Sequence, residues 1–288
     1  MMKPNLASEP DAKYPLTFGK YASSKLDGIR GLTQYDTCLT RSLKPVPNVL
    51  LREAMTAVQG LDGEFICGEP TAPDCYHKTY SAVMTEDRHM DDITFYAFDV
   101  LDKTLPFVDR YLKLLDLKLP SFVQVLPQIY LESQEDLTAF YNTQLQLGYE
   151  GAILRNSSAL YKEGRATAKS QDMLKFKPFL DSDAIVVDVY EAMTNNNEAF
   201  TDELGRTARS SHAENLIGNG MAGGFTVRMG DKVFNIAAGK LNHDQRREVL
   251  LNKHKYIGQL CTFRHLPIGE KDVPRHGRFI RWRSQLDT

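Results

Sequence analysis

Lys25-Leu26-Asp27-Gly28-Ile29-Arg30 sets a lysine at the end of an apolar run, then an acid, a glycine and an arginine entering the next run. A lysine amine is a nucleophile only when neutral, so its ordinary pKa of ~10.4 must be lowered by burial or nearby positive charge. Lys175 and Lys177 stand two apart in Leu174-Lys175-Phe176-Lys177. In a strand they share one face, while Leu174 and Phe176 turn to the core. Taken alone, the hexapeptide equally suits a turn between two strands with solvated charges. The lysine pair equally suits an amphipathic strand.

The elements that must carry these residues alternate along the chain. Apolar, β-rich runs bounded by Gly, Pro or Asp predict strands at 20–26, 29–35, 63–66, 93–101, 123–129, 151–155, 173–177 and 184–190. Val49–Val58 predicts a helix with Leu50, Ala54 and Val58 on one side. Ser133 and Asp136 predict a capping box that opens a helix running to Leu147 and ended by Gly148. The first fifteen residues read as an arm. Beyond about residue 183, Gly230-Asp231 predicts a hairpin between 225–229 and 233–237, followed by a helix over 242–252 and strands at 256–264 and 279–283. The expected fold is therefore α+β: a first domain over 1–182, of antiparallel sheets and helices, and a β-barrel of OB type over 183–288. Residues 195–224 are too long for a routine connection, which marks a mobile or functional loop.

At 288 residues, 42 % hydrophobic and 25 % charged, the composition is that of a folded globular protein of about two domains. The four cysteines are scattered with no zinc-finger spacing, which excludes a structural zinc site and a disulfide framework. No apolar stretch suits a membrane span or a secretory leader, so a cytoplasmic, membrane-free protein is expected. The overall charge is −2, yet residues 205–288 carry 15 Lys and Arg against 7 Asp and Glu. That local excess of +8 suits either a polyanion-binding surface or a solvated basic face.

Further groups follow the lysine in order: Leu61-Asp62-Gly63-Glu64, Phe95-Tyr96-Ala97-Phe98-Asp99, Glu150-Gly151-Ala152-Ile153-Leu154-Arg155 and Leu174-Lys175-Phe176-Lys177. The ordered set resembles the motifs of covalent nucleotidyltransferases, and within them is most similar to small ATP-dependent DNA ligases of viral or phage type. The resemblance spans about 250 residues. It implies a nucleotidyltransferase domain followed by an OB domain. It also implies an enzyme that uses ATP and Mg²⁺, with Mn²⁺ as a substitute, to seal 5′-phosphate/3′-hydroxyl nicks in duplex DNA through lysyl–AMP.

By the same resemblance Lys25 attacks the α-phosphate, and Asp27 orients Lys25 or a reacting hydroxyl. Arg30 holds the ribose or the nucleotide phosphate, Arg41 matches a further arginine of the family and joins the nucleotide-binding set, Glu64 bonds the ribose, and Phe98 stacks on adenine. Glu150, with Glu64, would hold the metal, since a hard cation takes carboxylate oxygen. Lys175 and Lys177 would face the triphosphate and lower the pKa of Lys25 by like-charge repulsion. Arg281 and Arg283 resemble the family's last motif, near the pyrophosphate, with its acid displaced to Asp287. Arg206, Arg209, Ser210 and Ser211 resemble a DNA-facing insertion that positions phosphates. A monomer acting on nicked duplex DNA is expected, of minimal size, in a host cytoplasm if phage-encoded. Its two domains would close about a hinge near Leu180–Asp183. An mRNA capping guanylyltransferase, an RNA ligase and a non-enzymatic DNA-binding protein are the rivals. An NAD-dependent ligase is disfavoured by length and by the lack of a Cys₄ module.

Overall fold

The computed structural model describes residues 1–89, 91–268 and 273–283. Contacts divide the chain into two compact units, Met1–Lys177 and Pro178–Thr288.

The first unit runs β1 (Asn5–Leu6), β2 (Lys20–Ser24), β3 (Ile29–Gln34), β4 (Thr37–Thr40), α1 (Val49–Ala54), β5 (Leu61–Cys67), α2 (Cys75–Met84), β6 (Ile93–Val100) and α3 (Phe107–Leu115). It continues through β7 (Val123–Val125), β8 (Ile129–Leu131), α4 (Gln134–Gln146), β9 (Ala152–Asn156), β10 (Gly164–Arg165) and β11 (Met173–Phe176). Two sheets organise it, ordered β4-β3-β5-β6-β7 and β11-β9-β2-β8. Leu51, Met55, Phe65, Val83, Phe95 and Leu114 form the main core, on the first sheet, and a smaller cluster of Ala22, Leu131, Leu137, Leu154 and Leu174 closes the second. The Lys25 hexapeptide is the crossing from β2, in one sheet, to β3, in the other.

Several elements differ from the reading of the sequence for identifiable reasons. The arm at the N-terminus is built in: β1 pairs in parallel with β10, and Ser8 bridges Leu174 at the edge of β11. Helix α1 buries Leu51 and, in the 3₁₀ turn that follows, Met55, while Leu50 stays 45 % exposed. Adjacent leucines left the helix face ambiguous by one residue. The strand expected over 123–129 is split into β7 and β8, which belong to different sheets, and Pro127 between them lacks the N–H a continuous ladder needs. Helices α2 and α3 were not expected. In α3 the buried face contains Arg110, which interrupts the apolar period of Phe107 and Leu114. The capping box of α4 is present in both directions, with Asp136 N–H donating to Ser133 Oγ (3.1 Å) and Ser133 N–H donating to Asp136 Oδ2 (2.9 Å). Gly148, at φ +91°, ends that helix.

The second unit runs β12 (Leu180–Asn195), β13 (Ala199–Thr201), β14 (Thr207–Arg209), β15 (Leu216–Met229), β16 (Lys232–Ala237), α5 (His243–Leu251), β17 (Leu260–Ile268) and β18 (Pro274–Trp282). Five strands close a barrel in the order β12-β15-β16-β18-β17 around Val186, Phe225, Val227, Ile236, Phe263 and Phe279. The two-residue hairpin at Gly230-Asp231 forms, with Met229 opposite Lys232. Much of the expected 195–224 loop is regular structure. Strands β12 and β15 pair out to Asn195 and Leu216, and β13 and β14 form a small hairpin at the tip. Its Gly-rich, polar sequence hides the strand because the ribbon has little core to bury. The proposed hinge at Leu180–Asp183 falls inside β12, paired with β17, so the connection without strand pairing is Lys177-Pro178-Phe179. Among the described residues, no helix is long and apolar enough to cross a membrane.

Candidate active site

The β2–β3 crossing carries Lys25, Asp27 and Gly28. An added Cβ at Gly28 would lie 2.2 Å from the Phe65 carbonyl oxygen, so the chain can approach β5 this closely only without a side chain. That approach lets Gly28 N–H donate to Glu64 Oε1 at 3.1 Å. Gly151 plays the matching role behind Glu150. Its φ is +145°, and a Cβ there would lie 2.0 Å from the Phe176 carbonyl oxygen. Lys25 N–H donates to the Gly151 carbonyl (2.9 Å) and Glu150 N–H donates to that of Lys25 (3.2 Å), so the two loops are laced together.

These backbones place Lys25 Nζ in a hydrogen-bonded ion pair with Glu150 Oε2, although the residues are 125 apart in sequence. Lys177 Nζ lies 3.6 Å from Glu150 Oε1 on its other side, and Lys175 Nζ lies 3.4 Å from Glu9. The expected depression of the Lys25 amine is corrected by this arrangement. Burial pulls its pKa down, but Glu150, Glu64 and Asp27 together outweigh burial and hold it above the ordinary lysine value. The like-charge effect falls instead on Lys177, which is lowered first by burial and further by Lys175 and Lys25, with Glu150 and Glu9 opposing. Burial raises the Glu64 carboxyl, and Glu150 adds to this against Lys25, Arg30 and the Gly28 N–H. Lys25, Glu64 and Glu150 thus form one electrostatic unit.

Arg30 makes a fork to Asp62, Nε to Oδ1 and Nη2 to Oδ2, both at 2.6 Å, and Nη2 also donates to the Asn5 carbonyl (2.9 Å). Tyr161 OH donates to the same Asp62 at 2.7 Å. Alongside, Asp99 accepts from Arg110 Nε (2.6 Å) and Arg155 Nη1 (3.0 Å). Phe98 is 5 % exposed, and the guanidinium carbons of Arg30 and Arg155 lie 4.8 and 4.9 Å from its ring centroid. Little of its ring is left for a base. Tyr96, earlier on β6, is half-buried against the cluster of Leu26, Ile66, Cys75, Phe98 and Leu126. Burial, with nearby Tyr149 and Glu69, raises its hydroxyl pKa.

Sequence reasoning missed Asp62, Tyr96, Asp99, Arg110, Arg155, Tyr161 and Glu9 as participants. Asp62, Tyr96, Asp99 and Arg155 lay inside the quoted motifs, the signal that could have found them. Arg41 follows Thr40, which pairs with Gly31, so it stands at the end of β4 one step beyond that pair, on the side of Arg30.

In the second unit Arg281 and Arg283 line one open cleft with Asp181, Ser182, Asp183, Lys240 and Thr262. Arg283 Nη1 lies 3.6 Å from Asp183. Asp287 lies outside the described residues. On the ribbon, Arg206 forks onto Asp202 at 2.8 and 3.0 Å, and Arg209 donates to the Asn197 carbonyl. The Ser210 carbonyl accepts from the side chains of Asn195 (2.7 Å) and Asn197 (3.0 Å), and Ser211 is exposed beside it.

A family model described as the ATP dependent DNA ligase domain matches residues 16–177, and one described as the DNA ligase OB-like domain matches residues 218–283. Among solved structures, a Lig E DNA ligase is similar over 98 % of this chain and 100 % of its own, at 21 % identity and a TM-score of 0.76. The Chlorella virus DNA ligase-adenylate is similar over 98 % and 100 %, at 25 % identity and a TM-score of 0.54. No curated protein matches the chain.

Proposed function

The chain belongs to the ATP-dependent DNA ligases, and from that premise we propose that it seals nicks in duplex DNA with Lys25 as the residue that carries AMP. The observation that carries this reading is the meeting of Lys25, Glu150, Glu64 and Lys177 at the β2–β3 crossing. Lys25 Nζ attacks the α-phosphorus of ATP, the P–N bond forms, and the bond to pyrophosphate breaks. A DNA 5′-phosphate oxygen then takes the AMP from Lys25, and the neighbouring 3′-hydroxyl displaces AMP to close the strand. Each step is an in-line displacement at phosphorus, so positioning and charge neutralisation do most of the work.

Glu150 accepts the hydrogen bond from Lys25 Nζ and so holds the proton that must leave before attack. Lys175 and Lys177 supply positive charge to the phosphates. Arg30, fixed by Asp62, lies beside the ribose end with Glu64, and Tyr96, which is only half-buried, leaves more aromatic surface for the base than Phe98 does. Asp27 adds to the field that orients the Lys25 amine. Arg41 serves the nucleotide phosphates from the end of β4. Arg281 and Arg283 serve the leaving pyrophosphate, and Arg206, Arg209, Ser210 and Ser211 serve the DNA backbone. Among the described residues, no group of three or more metal-ligating side chains occurs. Glu150 and Glu64 both face the Lys25 ammonium and repel one another, and such a pair of carboxylates would fit a hard ion such as Mg²⁺ or Mn²⁺ that takes one or two carboxylates and keeps water and phosphate oxygen. When bound, such an ion neutralises phosphate charge.

The test is incubation with Mg²⁺ and α-labelled ATP or GTP, beside Lys25→Ala. Label from ATP that survives denaturation, is released by acid and is absent from the mutant is the expected result. Label from GTP alone would move the protein to capping chemistry, and no label in folded, AMP-free protein would leave a DNA-binding scaffold.

A further inference from the structure

Three ammonium groups, those of Lys25, Lys175 and Lys177, sit on adjoining strands and loops and need counter-charge. Glu150 serves Lys25 and Lys177. Lys175 is served from an unexpected direction, by Glu9, whose carboxylate lies 3.4 Å from Nζ. The segment that brings Glu9 there is fixed at several points. Ser8 N–H donates to the Met173 carbonyl (3.1 Å), and Lys175 N–H donates to that of Ser8 (2.9 Å). Further back, Asn5 accepts from Arg30 and donates its N–H to Tyr161 OH at 3.2 Å. Residues 5–9 therefore touch both Arg30 and Lys175, cations on two different sheets.

The side chain of Glu9 is 54 % exposed, against 23 % for Lys175. Its pairing is of the solvent-screened kind that contributes little to stability, and an anion of higher charge can displace it. We propose that Glu9 is a placeholder carboxylate: it holds the Lys175 ammonium at the phosphate end of the site until nucleotide phosphates take its position. Glu9 is thus a positioning residue acting through Lys175. The inference rests on the nucleotide role given above to Lys175.

Binding of α,β-methylene ATP, which cannot transfer AMP, is measured by calorimetry in the wild type, Glu9→Gln and Glu9→Asp, with AMP and adenosine in parallel. Removing a competing carboxylate should tighten the ATP analogue about threefold, the scale of one screened ion pair, and AMP by less. Adenosine, which has no phosphate to compete with Glu9, should bind equally to all three proteins. Glu9→Asp should stay at the wild-type value. A Glu9→Gln protein that binds the analogue as the wild type does, or more weakly, overturns the placeholder. So does an equal change for adenosine, which would mark a structural effect. A wild type that binds no nucleotide overturns the ligase reading as well, which separates the two failures.

Discussion

At the scale of single residues, Asp62 and Asp99 hold the arginines packed behind the β2–β3 crossing. Asp99 is fully buried and satisfied by Arg110 and Arg155, the latter also packed on Phe98. Removing one partner of a buried ion pair leaves uncompensated charge and costs about 3–5 kcal/mol. Asp99→Asn should therefore lower the first unit's unfolding free energy in a urea titration by that order while leaving the second unit's transition unchanged. Gly28→Ala fails for another reason: its Cβ would meet the Phe65 carbonyl, part of a backbone that cannot swing aside. Overpacking of this kind costs about 1–3 kcal/mol, and the displaced loop should also slow lysyl–AMP formation. The cysteines give a prediction in pH. Burial pushes the Cys38 and Cys261 thiols up to about 12. Their neutral forms favour the fold below the ordinary thiol value, and that contribution is lost as pH rises towards 12. Iodoacetamide at pH 8 should spare both in the native protein and modify the partly exposed Cys67. Equal modification of all three would contradict their burial.

At the scale of elements, the ribbon of β12 and β15 with the β13–β14 hairpin bears the basic groups assigned to DNA. The Arg206 side chain is 65 % exposed, so its pairing with Asp202 contributes little to folding and a phosphate can take the guanidinium from the carboxylate. Arg206→Ala should leave the barrel's thermal midpoint unchanged and reduce the salt slope of nick binding by about 1. An unchanged slope would remove Arg206 from the DNA surface. The elements that sequence made legible were those with local signals: the capping box of α4, the glycine that ends it, and the Gly230-Asp231 hairpin. Helix α3 was not legible because a buried Arg110 takes an apolar position. The ribbon was not, because its residues are chosen for exposure rather than for a core face.

At the scale of the whole molecule, the residues at the β2–β3 crossing and the pair Arg281 and Arg283 belong to different units. Each has its own core, and Asn5–Leu6 is paired within the first. A fragment of residues 1–177 should therefore fold and bind α,β-methylene ATP. It lacks Arg281 and Arg283, and loss of donors to a developing phosphate charge costs about 10²–10³ in rate. Lysyl–AMP formation by the fragment should fall by at least 100-fold, and an undiminished rate would remove the two arginines from the first step.

Residue type and order nominated Lys25 and the carboxylates and lysines that follow it, through the resemblance of the ordered set to ligase motifs, and local spacing and periodicity carried the α+β-then-barrel plan. Tertiary structure decided what depends on partners remote in the chain. The charge of Lys25 is a balance between burial and carboxylates at positions 27, 64 and 150. That Arg30 is held by Asp62, that Phe98 is covered by two arginines, and that Glu9 reaches Lys175 are likewise outcomes of sheet pairing. Spacing can nominate an ionisable group, but its working pKa and orientation depend on distances that only the folded chain sets.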